Sequence, residues 1–317
     1  MIYVLLILSL AGIVYGADYL VAGSVAVARR YRISDFVIGA AIVGIGTSMP
    51  ELTVSFLGAL QGNSEVAIGN VVGSNIFNVL GILGITALFF PIAVTKANLK
   101  FEIPVCIFVS VLLTLLTFNF FTGGPATLSR PDGCILLIVF AAFMWYSFYN
   151  DRKKTNEVTE PTDSSPLSPI WISVVKIIGG LTLLILSCEI FIENAVSVAR
   201  KLGLNDAFIS ITLIACGTSL PELAASIMAA LKKNTQLALG NILGSNIFNI
   251  CLILGLSSQV IPLSSPDIPV RDYLWMIGAA AAPLILGFRG RISRLSGAMM
   301  FILYIVYTWS LLMLQTS

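Results

Sequence analysis

The sequence predicts an all-α polytopic membrane protein: ten transmembrane helices forming two inverted five-helix repeats, with discontinuous helices at the bilayer midplane. Three observations carry this expectation. The 317-residue chain is 57% hydrophobic and only 11% charged, whereas soluble domains carry about 25% charged residues. Its apolar windows recur at the length a bilayer requires, about 20 residues each. Its two halves also repeat one another without a gap.

The first span is read at 2–27. The opening run "MIYVLLILSLAGIVYG" lacks a basic n-region and stays apolar past residue 20, which suits a span rather than a signal peptide. The remaining windows fall at 36–60, 67–90, 101–120, 131–149, 170–199, 207–231, 238–260, 271–288 and 293–314. Runs this long and continuous suit helices, not barrel strands. Residues 1–150 form the first half and 170–317 the second. Between them "DRKKTNEVTEPTDSSPLSP" (151–169) has no apolar periodicity and is rich in Pro, Ser and Thr, so it reads as a flexible linker.

The basic residues orient the chain. One side collects Arg29, Arg30, Arg32, Lys96, Lys100, Arg152, Lys153, Lys154, Lys232, Lys233, Arg289, Arg291 and Arg294. The other has only Arg130, Arg200, Lys201 and Arg271. The positive-inside rule then places both termini outside and the 151–169 linker in the cytoplasm of a plasma or inner membrane. Nothing basic enough for nucleic acid is present. The five cysteines (Cys106, Cys134, Cys188, Cys216, Cys251) are scattered through apolar runs without a CxxC pair and read as small hydrophobes. Histidine is absent. That removes His-based zinc sites, Ser–His nucleophiles and His proton relays.

The repeat has an offset of 171 residues. It pairs Gly46 with Gly217, Glu51 with Glu222 and Asn78 with Asn249, and 22 of 39 positions are identical between 46–84 and 217–255. Upstream, "VAVARRYRISD" (25–35) faces "VSVARKLGLND" (196–206), and Asp18 faces Glu189. Five spans per half make the second half enter from the opposite side. Inverted repeats of this kind place a transport site at their interface near the midplane. A duplicated structural bundle would explain repeated small residues, but not repeated carboxylates at mid-depth.

Those carboxylates are Glu51 and Glu222, in "GIGTSMPELTVSF" (44–56) and "ACGTSLPELAASI" (215–227). An intramembrane carboxylate is a functional hypothesis by default. No Lys or Arg lies mid-span to pair with either, so a cation from outside the chain is the natural partner. Thr47, Glu51 and Ser55 recur at i, i+4, i+8, as do Thr218, Glu222 and Ser226. Pro50 and Pro221 cannot donate to the carbonyls four residues back, which frees backbone oxygens where the glutamate supplies charge. In the next spans Asn70, Ser74 and Asn78, and Asn241, Ser245 and Asn249, form polar stripes. Gly69 with Gly73 and Gly240 with Gly244 are small-xxx-small pairs that let helices approach. The donors are all hard oxygens, of the kind that Na+ and Ca2+ prefer.

"GTSMPEL…GNVVGSNIFN" and "GTSLPEL…GNILGSNIFN" resemble the two alpha-repeats of the cation/calcium exchanger superfamily, closest to its prokaryotic Na+/Ca2+ exchanger branch. The resemblance covers nearly the whole chain. It implies that Glu51 and Glu222 are central carboxylates shared by Ca2+ and Na+. By the same resemblance Thr47, Ser48, Ser74, Thr218, Ser219 and Ser245 flank them, carbonyls of Gly44 and Ala215 join, and Asn78 and Asn249 close the middle. Relatives in the K+-dependent branch carry Asp at the position of Asn249. The H+/Ca2+ branch typically places Glu and His in the GSN stretch.

The expectation is therefore an electrogenic antiporter exchanging three Na+ for one Ca2+, a stoichiometry taken from the resemblance. It needs no cofactor and implies no protein partner; its partners are the transported ions and the bilayer. The alternative is a Ca2+ or Mn2+ antiporter driven by H+ or dependent on K+. An intramembrane hydrolase would need an activated nucleophile that the chain does not supply, and a passive channel would need a continuous pore. Asp18, Glu189 and Glu193 read as helix-packing residues or as part of an ion path. Asp35 and Asp206 read as helix N-terminal residues.

Overall fold

The computed structural model describes residues 2–119, 125–157, 169–201, 216–266 and 268–315. α1 (Ile2–Tyr31) is followed by α2 (Asp35–Thr47), α3 (Met49–Leu60), α4 (Ser64–Phe89), α5 (Asn98–Thr117) and α6 (Arg130–Glu157). The second half contains α7 (Ile170–Lys201), α8 (Leu220–Leu231), α9 (Thr235–Val260), α10 (Val270–Gly287) and α11 (Arg294–Gln315). Among the described residues, seven helices are long and apolar enough to cross a membrane, and the pair α2–α3 makes an eighth. α10 is shorter, at 18 residues. α8 stands at the end of the seventh expected span; residues 207–215 of that span, Ala215 among them, and Asp206 before it lie outside the described residues.

Each boundary has a local cause. α1 runs past residue 27 and stops where Arg32 takes a left-handed φ of 54°. Ser34 then caps α2 by accepting from the Val37 N–H, with Asp35 in the first turn. The Ser34 N–H itself donates to Asp151 Oδ2 at 2.6 Å, which ties the start of α2 to α6. The window 36–60 is two helices, bent by 50° at Ser48. Pro50 stands in the first turn of α3, where its missing N–H breaks no helical bond. α6 continues through 151–157, because "DRKKTNE" contains neither Gly nor Pro; residues 158–168 of the expected linker lie outside the described residues.

α4 and α9 form the centre. In their most apolar stretches 83% and 94% of residues are buried, against 17% to 33% for α1, α5, α6, α7 and α11. The reason is visible in α9. A methyl group on Gly240 would collide with the Phe36 carbonyl, and one on Gly244 with Ala40 Cα, so the two glycines bring α9 against the backbone of α2. The repeat counterparts of Phe36 and Ala40, residues 207 and 211, lie outside the described residues. α1 and α7 cross on the periphery through Gly16 and Gly180. Outward faces carry Ile7, Ile138, Trp145, Ile178, Ile285 and Trp309, all strongly exposed, as lipid contact requires.

Two pairs of two-residue strands join helix ends across the halves. β1 (Ile92–Ala93) pairs antiparallel with β4 (Arg291–Ile292), in the register Ile92–Ile292. β2 (Thr127–Leu128) pairs with β3 (Leu263–Ser264), in the register Leu128–Leu263.

Candidate cation site

The break at Ser48 builds the site. It ends α2 at Thr47 and starts α3 one residue later, so Glu51 enters from the first turn of a new helix. Ser219 and Glu222 repeat the arrangement at the start of α8. The helix N-termini that carry Glu51 and Glu222 are favourable places for negative charge. Both carboxylates are fully buried.

The halves exchange hydroxyls. Ser48 Oγ donates to Glu222 Oε1 at 2.7 Å, and Ser219 Oγ donates to Glu51 Oε1 at 2.7 Å. Each carboxylate thus has one oxygen satisfied by the opposite half. The second oxygens, Glu51 Oε2 and Glu222 Oε2, are buried without a hydrogen-bond partner. Among the described residues neither glutamate has an ion-pair partner.

α4 and α9 supply the next layer. Both loosen into π-helical turns, Phe77–Leu83 and Asn249–Ile253, which contain Asn78 and Asn249. The turn with Asn249 packs against α3, and the turn with Asn78 packs against α8. Asn78 Nδ2 donates to Asn246 Oδ1 at 3.0 Å, and Asn249 Nδ2 to Asn75 Oδ1 at 3.2 Å. Asn75 and Asn246 in turn donate to each other's backbone carbonyl at 3.2 and 3.1 Å. This clamp uses the amide nitrogens of Asn78 and Asn249 and leaves their Oδ1 atoms buried and unpartnered. Asn75 and Asn246 were not singled out from the sequence. Their signal was the doubled "GSNIFN", in which they sit beside the more obvious serines.

The hydroxyls divide into three groups. Thr218 Oγ1 is buried and unpartnered. Thr47 Oγ1 is engaged, 3.0 Å from the Val43 carbonyl and 3.2 Å from Asn241 Oδ1. Ser245 Oγ donates across the halves to the Gly44 carbonyl at 3.2 Å, and Ser74 is buried at the matching position of α4. Ser55 and Ser226, expected on the same face as the glutamates, act as braces. Asn70 donates to Ser55 and the Glu51 carbonyl, and Asn241 donates to Ser226 and the Glu222 carbonyl. Ala215 lies outside the described residues.

Eleven buried side-chain oxygens lack a partner among the described residues, and five of them belong to Glu51, Glu222, Asn78, Asn249 and Thr218. Leaving a polar atom so costs about 1–3 kcal/mol. Five acceptor-type oxygens on elements packed together therefore fit an oxygen-binding cargo. Two carboxylates, hydroxyls and amide oxygens, without a soft donor, suit Na+ or Ca2+.

A buried pair of carboxylates within a repeated helical bundle is the architecture of a membrane transporter for hard cations. The chain belongs to the sodium/calcium exchanger protein family, which it matches over residues 1–149 and 172–313. It is 37% identical to the putative antiporter CaxA of Alkalimonas amylolytica, over 97% of this chain and 98% of that protein. It is 33% identical to the sodium/calcium exchanger MaX1 of Methanosarcina acetivorans, over 83% and 84%. A shorter match, 39% over 72 residues, covers 23% of this chain and 11% of human sodium/potassium/calcium exchanger 2. The fold is similar to that of the sodium-calcium exchanger NCX_Mj soaked with 10 mM Na+ and zero Ca2+. That likeness has a TM-score of 0.84 at 30% identity, covering 98% of this chain and all of the other. The protein is by family a cation/Ca2+ antiporter in a membrane, not an enzyme.

Proposed function

We propose that the protein exchanges Na+ for Ca2+ by alternating access through ten spans arranged as two inverted repeats. Glu51 and Glu222 would share the ion. Asn78, Asn249 and Thr218 would contribute neutral oxygens, with Thr47, Ser48, Ser74, Ser219, Ser245 and the carbonyls of Gly44 and Ala215 around them. The observation that carries this reading is the crossed arrangement of the two carboxylates. Each keeps one oxygen on a serine of the opposite half and one oxygen unpartnered. A site built equally from both halves can open to either face by rocking one half against the other.

Contacts at the helix ends support ten alternating crossings. β1 and β4 would both be cytoplasmic, as would Gln236 and the Ala93 carbonyl it bonds at 2.7 Å, and Ser34 with Asp151. β2 and β3, and Arg130 with the Val260 carbonyl, would all be outside. None of these contacts joins opposite faces. The excess of basic residues on the first set makes it the cytoplasmic one, with both termini outside in the plasma or inner membrane.

With the three-to-one stoichiometry that the resemblance implies, the exchange is electrogenic. Two carboxylates give the empty site −2; Ca2+ brings it to 0, and three Na+ bring it to +1. Each cycle then moves one net charge, worth about 2.3 kcal/mol per 100 mV. The test is Ca2+ uptake by vesicles containing the purified protein and loaded in turn with Na+, K+ or a pH gradient. Uptake that needs opposing Na+ and responds to a clamped voltage is expected. Uptake driven only by H+ would overturn the reading. The match to a sodium/potassium/calcium exchanger favours a second reading, in which K+ is also required. Asn249 opposes it, since an amide brings no charge for an extra monovalent ion.

A further inference from the structure

The halves differ at one pair of repeat-related carboxylates, Asp18 of α1 and Glu189 of α7. Lys232 Nζ lies 2.7 Å from Asp18 Oδ1 and also donates to the Asp18 carbonyl at 3.0 Å. Lys232 directly follows the last residue of α8, so this ion pair fastens α1 to α8 where α8 ends. The repeat counterpart of Lys232 is Gln61, which has no charge. Among the described residues no basic group lies within ion-pair distance of Glu189, and its side chain is exposed.

A groove of about 330 Å³ is lined by Glu189. Cys188, Thr53, Pro50, Thr218 and Pro221 line it as well; Pro50 and Pro221 each directly precede a site glutamate in the chain. Thr218, whose Oγ1 is buried and has no partner among the described residues, lines the same groove as Glu189. The groove thus has in its wall both a carboxylate without an ion-pair partner among the described residues and a residue with an unsatisfied ligand-type oxygen.

We propose that Glu189 collects cations at the mouth of the access path that is open in this conformation. Asp18 has the same role on the opposite path and is held by Lys232 while that path is shut. The inference rests on the exchange reading above. A carboxylate at the mouth of a low-dielectric cleft focuses its field and raises the local cation concentration, an effect that falls as salt is added. The Asp18–Lys232 pair is about one-third to one-half exposed, at 44% and 32%. Such a pair adds little to stability and is suited to a contact that breaks and reforms.

The experiment uses the full chain in vesicles of defined orientation and measures Na+-driven Ca2+ uptake against Ca2+ concentration. From the face where Glu189 opens, Glu189→Gln should raise the apparent KM for Ca2+ about fivefold at low ionic strength. The maximal rate should stay unchanged, and the gap should close at high ionic strength. Glu189→Asp should restore the affinity. Lys232→Gln, which gives the second half the residue found at position 61, should free Asp18 and lower the KM measured from the other face severalfold. An unchanged KM in Glu189→Gln at low salt, or a shift insensitive to salt, would overturn the proposal. So would a loss of maximal rate that Glu189→Asp does not recover, as a purely structural role would give. If Glu189→Gln does not reach the membrane, Lys232→Gln decides alone, and an unaltered KM from its face overturns the proposal. Unaltered protein without Na+-driven flux would overturn the exchange reading instead; the same variants would then be compared on whichever gradient drives uptake.

Discussion

Thr47 and Thr218 hold the same place in the two halves and have opposite surroundings. Thr47 Oγ1 is bonded within its own helix and reaches Asn241 of the other half. Thr218 Oγ1 is buried with no partner among the described residues. The carboxylates beside them are nonetheless held alike, each by a serine at 2.7 Å. The charged centre is therefore symmetric, while the neutral shell is closed in one half and unsatisfied in the other. A site that must hold ions from both faces needs its charge fixed midway. Its neutral ligands can engage in turn as the halves move.

The strongest way to break this comparison is to remove charge. Glu51→Gln and Glu222→Gln should each abolish Ca2+ flux, a loss on the order of a hundredfold or more, because an amide oxygen does not replace a full charge in a low-dielectric site. Near-normal flux in either folded variant, measured in vesicles, would refute a shared site, and unequal losses would refute the symmetry.

The clamp comes next. Asn75→Leu would strand the Asn249 amide, and Asn246→Leu the Asn78 amide, each costing about 1–3 kcal/mol. Thermal unfolding in detergent should show that loss. Flux should fall about tenfold, as expected when a supporting residue no longer orients a ligand. A stable variant with full flux would remove Asn75 and Asn246 from the site's support.

Thr47 and Thr218 give the sharpest contrast at smaller size. Thr47→Val breaks existing hydrogen bonds and should lower stability by about 1 kcal/mol. Thr218→Val breaks none among the described residues, so stability should hold while the apparent affinity for Na+ or Ca2+ weakens severalfold. Equal stability losses would show that the asymmetry is not real.

Asn249→Asp is the mildest change. It adds negative charge and a titratable group, and should introduce K+ or proton sensitivity into flux that otherwise needs neither. The measurement is Na+-dependent Ca2+ uptake in choline medium, with and without K+, at clamped voltage. A strict K+ requirement in the unaltered protein would favour the K+-dependent reading.

Much of the fold and the site was legible in the chain because the relevant physics is local or periodic. Span-length apolar runs dictate membrane helices. Proline three residues after Thr47 suits the first turn of a new helix. The 171-residue offset marks Glu51 with Glu222 and Asn78 with Asn249 as equivalents. Helix periodicity says nothing of what Ser55 and Ser226 touch: Asn70 and Asn241 from the next helix each bond the serine and the glutamate's carbonyl together.

The sequence by itself thus determined which residues are candidates for the chemistry and that they come in pairs, because residue type, spacing and repetition are properties of a line. Only the tertiary structure decided which member of a pair touches which. Ser48 serves Glu222 rather than its neighbour Glu51, Asn75 faces Asn246, and Lys232 holds Asp18 across 214 residues. Those partners come from opposite halves. Their meeting depends on how closely α4 and α9 pack and how sharply the chain bends at Ser48, which are properties of packed helices and not of the order of residues along the chain.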